Sequence, residues 1–218
     1  MVIYNEAIFK NRKHAAYLLG ERLREYNKTD AVVLAVPGGG IHMGSYLSQL
    51  LELPLDVIPC KKIKHPADPN KTVGAVSSDS VVVCDAGHEL PQDYLYHQIQ
   101  MLQHVIRMQH RNYDKERKQV SLHGKTVIVV DDMLKTGDTM LACLKSLRKQ
   151  LPDKIVVAVP NVTPQAIRAI AGEIDAIIYL TIEPKAIENL YSEFPEIGEE
   201  EVLKILRESS VGPREENY

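Results

Sequence analysis

The chain has 218 residues, a net charge of −3 and an apolar fraction of 44%, which suffices for a packed core in a single domain. This charge argues against a protein that binds nucleic acid or an anionic membrane through a general excess of Lys and Arg. No apolar run reaches the ~20 residues that a transmembrane helix needs.

The N-terminus lacks a signal-peptide pattern, because Asn5, Glu6 and Lys10 interrupt its apolar residues. The three cysteines, at positions 60, 84 and 143, are widely spaced and odd in number. Such a set is typical of reduced, buried thiols rather than of a disulfide or zinc framework. We therefore expect a cytoplasmic protein.

Apolar runs alternate with helical patterns along the chain. The predicted elements are, in chain order, a helix over 12–26, a strand over 31–36, a helix over 43–51, strands over 55–63 and 80–84, a long helix over 90–113, a strand over 126–131, a helix reaching 151, a strand over 155–159, a helix over 164–171 and a strand over 176–181. Strands separated by helices predict an α/β fold with a doubly wound, mostly parallel sheet. We expect one domain over 1–208, followed by a frayed charged tail over 209–218.

The first chemical signal is a glycine turn between a strand and a helix, in the stretch VLAVPGGGIHMG. Gly38, Gly39 and Gly40 carry no Cβ, so the oxygens of a ligand could approach their amides closely. Considered alone, the three glycines fit a tight turn equally well. His42, directly after them, is the histidine that we would test as a substrate contact.

A basic segment follows at a predicted strand end, in CKKIKHPADPNKTVGAV. Pro66, Pro69 and Asn70 predict that its middle is a loop. Lysines at this position would face an anion bound at the glycine loop, although a solvated charged face is the alternative. A second basic stretch, 107–118, is either the exposed end of the long helix or an arm that contacts a partner subunit or its active site.

The strongest signal is VIVVDDMLKTGDT, Val127 to Thr139, in which a buried strand leads through Asp131 and Asp132 into a helix. Ligands of open α/β sheets bind at the carboxyl ends of strands, and turn amides beside a helix N-terminus hold anions. Two carboxylates next to such a cradle suit an anionic ligand with hydroxyls or a metal, such as a sugar phosphate. Taken alone, a helix cap with solvated carboxylates explains the pair as well.

This stretch resembles the phosphoribosyl-pyrophosphate (PRPP) binding motif of type I phosphoribosyltransferases, in which two acids and three variable residues precede Thr-Gly-x-Thr. The order of elements is similar as well, over residues 8–195. The chain most resembles bacterial members whose acceptor is unassigned, which share the glycine loop and a C-terminal cluster. That cluster, at positions 183, 184, 191 and 194, either forms a small hood within 176–208 or packs in the core.

The resemblance implies a role for each motif residue. Asp131 and Asp132 would hold the ribose hydroxyls and reach a Mg²⁺ ion through water, without a direct metal ligand. The acidic pair and Lys62 are the predicted catalytic residues. The predicted 5′-phosphate site consists of Lys135, Thr136, Gly137, Asp138 and Thr139, and the predicted pyrophosphate site consists of Gly38, Gly39, Gly40, Lys61 and Lys62.

Two positions depart from better-known members of the family. Many members carry Arg or Lys where this chain has Gly38, so one cation expected near the pyrophosphate is missing. Hypoxanthine-type enzymes carry a base-contacting Asp where this chain has Lys135, which argues against that subclass.

The resemblance implies a Mg²⁺-dependent glycosyltransferase of nucleotide metabolism that joins PRPP to a small nitrogenous, nucleobase-like acceptor. Two alternatives stay open, a PRPP- or nucleotide-sensing regulator with little or no activity, and hydrolysis with water as acceptor. We expect a homodimer, because homo-oligomers are common and family members usually pair. We expect neither membrane nor nucleic acid as a partner.

Overall fold

A computed structural model describes residues 8–116, 120–183, 190–195 and 197–209. Among the predictions that fall partly outside these ranges are the role of Pro184 in the C-terminal cluster, the basic stretch over 107–118 and the tail over 209–218. No helix in the described ranges is long and apolar enough to cross a membrane.

The main sheet confirms the predicted α/β fold. Within the described ranges it has five strands, namely β1 Val32–Ala35, β2 Leu55–Val57, β6 Thr126–Val130, β7 Lys154–Val162 and β8 Ala176–Ile182. They are all parallel and lie in the order β2-β1-β6-β7-β8. The helices that cover the sheet are α1 Arg12–Arg22, α2 Gly39–Leu51, α5 Asp138–Arg148 and α6 Pro164–Ile170.

Strand β6 shows why this sheet is buried on both faces. Its residues alternate between two apolar cores, as the two-residue period of a strand requires. Ile128 and Val130 pack in the core beneath α1 and α2, whereas Val127 and Val129 pack in the core beneath α5 and α6. A continuous run of β-branched residues is therefore what a central parallel strand needs.

The strand order reverses between β1 and β6, since β1 connects to β2 on one side and β6 leads to β7 and β8 on the other. Ala35 pairs with Val130, so the two strands end side by side. The Val36 amide donates to the Val130 carbonyl at 2.9 Å and keeps the chains adjacent beyond the strands. Such a switch point opens the crevice in which ligands of doubly wound sheets bind.

A second, antiparallel sheet corrects the prediction for residues 55–76. The single strand expected over 55–63 is two strands, because Pro59 separates β2 in the main sheet from β3 Cys60–His65 in the small one. The expected loop is largely strand β4 Asp68–Ser77, which pairs with β3 and with β5 Val81–Val83. Register shifts near Lys64 and His65 accommodate Pro69, because a bulged segment needs no regular ladder donor.

Helix α4, Gln92–Glu116, covers the small sheet, and α3 Asp85–His88 leads into it. The predicted register of Leu95, Ile99, Leu102 and Ile106 is confirmed, since all four pack against the small sheet's core. Several boundaries differ from expectation by up to four residues, since α2 begins at Gly39 rather than at residue 43 and α1 ends at Arg22 rather than at residue 26. Helix α7 Glu199–Ser209 was not predicted.

Candidate active site

The glycine loop after β1 lies directly against the acidic pair after β6. A Cβ on Gly40 would approach the Val130 carbonyl oxygen to 2.7 Å, and one on Gly39 would overlap the Asp132 carboxylate. Gly38 has a φ of 101°, a conformation that side chains rarely adopt, with open space around it. The glycines therefore allow close packing at positions 39 and 40, and a left-handed turn at position 38.

A cleft of about 660 Å³ opens at this switch point. The predicted site residues that line it are Gly39, Lys61, Lys62, Asp131, Asp132, Lys135, Thr136, Gly137, Asp138 and Thr139. Gly38, Gly40 and His42 are not among the lining residues. The Nε2 atom of His42 instead pairs with Glu201 Oε1 on α7 at 2.9 Å. The structure thus brings most of the sequence-predicted residues to one cavity.

The β3–β4 hairpin forms the basic side of the cleft. Lys61, Lys62, Lys64 and Thr72 line it, and Lys62 is close enough to the acidic pair for its charge to act on the pKa of Asp131. Cys60 lies at the same wall and is partly buried, as is Cys84, so the expectation of buried thiols holds fully for Cys143 alone. This cationic wall is suited to an anion held between the hairpin and the glycine loop.

The loop from Lys135 to Thr139 is braced from below by β7 and α6. The Thr163 hydroxyl donates to the Lys135 carbonyl at 2.6 Å, and the Leu134 amide donates to the Asn161 carbonyl at 3.0 Å. Gly137, with a φ of 90°, turns the chain into α5. The loop and the N-terminus of α5 therefore lie at the cleft, and this kind of turn before a helix suits a phosphate group.

The acidic pair is electrostatically crowded. The Asp131 Oδ1 atom accepts a hydrogen bond from the Asp132 amide at 2.8 Å. Burial and, next, the neighbouring Asp132 charge raise the pKa of Asp131 well above its ordinary value, although Lys62 opposes the shift. A ligand that donates hydroxyl groups or brings a cation would relieve this crowding.

Arg12, which the sequence pattern did not reveal, contacts the second carboxylate. Its Nε donates to Asp132 Oδ2 at 3.0 Å, its Nη1 donates to the Pro195 carbonyl at 2.7 Å, and its guanidinium lies 3.7 Å from the centre of the Phe194 ring. Arg12 is 7% exposed. The available signal was its place on the apolar stripe of α1, with Ala15, Ala16, Leu19 and Leu23.

The C-terminal aromatic residues lie beside this contact. Tyr191 is buried, and its hydroxyl donates to the Asp132 carbonyl at 2.8 Å. Phe194 is half-exposed and stacks on Tyr191 at 5.0 Å between ring centres. Residues 190–193 are held by hydrogen bonds to Phe9 and Lys10 near the start of the chain. Tyr191 therefore packs in the core and braces the acidic loop.

No group of three or more His, Cys, Asp or Glu side chains that could hold a metal ion occurs within the described ranges.

Comparison with known proteins is consistent with this geometry. Residues 5–185 match the family model described as the phosphoribosyl transferase domain. A Mycobacterium tuberculosis protein, named as a candidate phosphoribosyl transferase, is 28% identical over 205 residues, covering 91% of this chain and 46% of the relative. The chain thus spans about half the length of that curated relative.

Two solved structures are similar as well. TT1426 from Thermus thermophilus is 29% identical, with a TM-score of 0.75 that covers 93% of this chain and 99% of that one. AQ2163 from Aquifex aeolicus, at 15% identity and a TM-score of 0.51, covers 83% of this chain and 76% of that one, and shows a likeness of fold.

Proposed function

The chain belongs to the phosphoribosyl transferase family, and we propose that it transfers ribose 5-phosphate from PRPP to a small, nucleobase-like nitrogenous acceptor and releases pyrophosphate. The observation that carries this proposal is the meeting of two strand-end loops, one rich in glycine and one acidic, opposite a wall of lysines. Each part of PRPP then has a chemically matched side of the cleft.

Asp131 and Asp132 would accept hydrogen bonds from the ribose hydroxyls, and the loop from Lys135 to Thr139 would bind the 5′-phosphate. The pyrophosphate would then lie against the glycine loop, with Lys61 and Lys62 facing it. This arrangement extends PRPP across the cleft with its C1 atom between the acidic pair and the lysines.

In the reaction, the bond from C1 to the pyrophosphate oxygen breaks, its electron pair leaves with the pyrophosphate, and a bond from C1 to the acceptor nitrogen forms. The proton that this nitrogen loses would pass to the departing pyrophosphate. The ribose passes through an oxocarbenium-like state, as in glycoside hydrolysis. Lys61 and Lys62 would stabilise the negative charge that develops on the departing pyrophosphate. The missing cation at Gly38 is thereby replaced from the hairpin.

Magnesium is proposed to enter as part of the substrate, bound to PRPP oxygens. Mg²⁺ prefers oxygen ligands and keeps several waters, which the crowded carboxylates of Asp131 and Asp132 could accept. Bound there, the ion would offset negative charge on the pyrophosphate and on the acidic pair. The acidic pair therefore fits a water-separated ion.

Calorimetric titration of PRPP into the purified protein, with and without Mg²⁺, tests the proposal. We expect magnesium-dependent binding with one PRPP for each chain, after which candidate bases can be screened for pyrophosphate release. Release of ribose 5-phosphate without any base would instead indicate hydrolysis. Absence of PRPP binding would contradict the proposed function.

Sedimentation of the same sample tests the expected homodimer. Cytoplasmic localisation stays a prediction.

A catalytically weak, PRPP-sensing regulator is the second candidate, and the conformation of Gly38 favours it. A φ of 101° disfavours the Arg or Lys that many family members carry at this position, so the glycine loop provides no side-chain cation. PRPP binding without turnover on any base would support this candidate. Pyrophosphate release with a base would contradict it.

Replacement of Lys62 tests the predicted pyrophosphate site independently of the predicted ribose site. We expect Lys62→Gln to weaken PRPP binding about tenfold, because a charge-assisted contact is lost. Binding of ribose 5-phosphate, which lacks pyrophosphate, should not change. Calorimetry with both ligands measures the difference, and Lys28→Gln, which removes a surface lysine paired with Glu52, is the control. Equal weakening of both ligands would contradict the assignment of Lys62.

A further inference from the structure

We propose that Arg12 is a positioning residue for the ribose site, which fixes the orientation of the Asp132 carboxylate and partly neutralises its charge. This inference rests on the proposed function, because it assigns Arg12 a task at the same site. Arg12 does not line the cleft, so it would act through Asp132 rather than on the substrate.

The contacts of Arg12 define one orientation for the Asp132 side chain. Its Nε donates to Oδ2 at 3.0 Å, and the two side chains are 8% and 15% exposed, so solvent screens the pair weakly. A carboxylate has lone pairs for several hydrogen bonds. With Oδ2 held by Arg12, the remaining capacity of Asp132, which lines the cleft, is available to a ribose hydroxyl.

The side chain of Arg12 is itself held by residues 190–195, which we call the C-terminal segment, rather than by its own helix. Its Nη1 reaches the Pro195 carbonyl at 2.7 Å, and the Phe194 ring covers the guanidinium. Tyr191 fixes the backbone of Asp132 from the same segment. Both the side chain and the carbonyl of Asp132 are therefore anchored by groups that are distant in sequence.

The planar guanidinium is the feature that makes this arrangement possible. It donates from Nε and Nη1 in two directions and stacks on an aromatic ring at the same time. The ammonium of lysine is a point charge and cannot reproduce the two directed bonds. Arg12→Lys should therefore recover part of the function and Arg12→Gln none.

The test compares three ligands with Arg12→Gln, Arg12→Lys and a matched control. We expect Arg12→Gln to weaken the binding of ribose 5-phosphate and of PRPP by the same factor, about tenfold, which is the effect of removing groups that orient the ligands of a metal ion. Pyrophosphate with Mg²⁺, which has no ribose, should bind as it does to the wild type. The affinity of Arg12→Lys for the two ribose ligands should lie between that of Arg12→Gln and that of the wild type.

Arg148→Gln is the matched control, because Arg148 also donates to a backbone carbonyl and to an aspartate, Asp175, but does not line the cleft. If Arg12 had only a structural role, Arg12→Gln and Arg148→Gln would both lower the melting temperature, and neither would change the affinity for ribose ligands. Equal ribose 5-phosphate affinity of wild type and folded Arg12→Gln would overturn the inference. If Arg12→Gln does not fold, the inference would be overturned by an Arg12→Lys variant that binds ribose 5-phosphate as tightly as the wild type does.

The outcomes also separate this inference from the proposed function. If the wild-type protein binds neither PRPP nor ribose 5-phosphate, the proposed function fails. If it binds both and the Arg12 variants bind them equally well, the proposed function stands and the role of Arg12 is refuted.

Discussion

The double substitution Asp131→Asn with Asp132→Asn is expected to weaken PRPP binding by at least about 100-fold. Each carboxylate would lose a charge-assisted hydrogen bond worth ~1.5–3 kcal/mol, and every 1.4 kcal/mol is about tenfold in affinity. The magnesium dependence of the remaining binding should fall as well, because asparagine brings no negative charge to the ion's shell. Calorimetry with PRPP, with and without Mg²⁺, measures both effects.

The single Asp131→Asn variant tests whether a loss of PRPP binding is caused by a loss of folding. Burial raises the pKa of Asp131 in the folded state, so the folded protein binds this proton more tightly than the unfolded chain does. The wild type therefore loses free energy of unfolding as the pH rises from the ordinary carboxyl pKa through the raised one. Asparagine has no such loss.

Urea unfolding of the wild type and Asp131→Asn at acid pH and at pH 8 measures this contribution. We expect the stability of the variant relative to the wild type to be higher at pH 8 than at acid pH. A folded double variant that binds PRPP with wild-type affinity would place the site elsewhere in the molecule.

The parts of the site that the sequence revealed are those in which chemistry and local pattern coincide. A buried strand, two acids and a glycine turn are contiguous from Val127 to Thr139, so their proximity is fixed by the chain itself. That the glycine loop would join them follows from the parallel sheet, because the carboxyl ends of adjacent strands meet at one edge. The lysines of the hairpin were expected opposite the glycine loop for the same reason.

The features that were missed depend on contacts between distant residues. Arg12 is 120 residues from Asp132 and 183 residues from Pro195, so no local pattern could show that its charge is buried against an acid. The small sheet was missed for another reason, because prolines usually indicate a loop. Here Pro59 lies between two strands and Pro69 lies at a bulge. Helix α7 has only a short apolar stripe, which includes Val202 and Leu206, and charged residues surround it.

Gly39→Ala is expected to have the second largest effect, a loss of about 100-fold in PRPP affinity. The new methyl group would overlap the Asp132 carboxylate and would lie 2.9 Å from Arg12 Nε. Either the acid turns away or the start of α2 moves, and overpacking of this kind costs ~1–3 kcal/mol. Either movement alone disturbs the predicted ribose site and the glycine loop, so we expect a loss of affinity at the upper end of this range.

Two alanine variants separate this clash from general effects of losing a glycine. Gly38→Ala meets no atom within 4 Å but must adopt a φ of 101° and a ψ of −133°, so it should lower the free energy of unfolding by ~1–3 kcal/mol and affect binding less. Gly172→Ala has neither a clash nor a positive φ and should match the wild type. Calorimetry and urea unfolding on all three variants test this order. If Gly39→Ala binds PRPP as tightly as Gly172→Ala does, the close contact between the glycine loop and Asp132 is not part of the binding site.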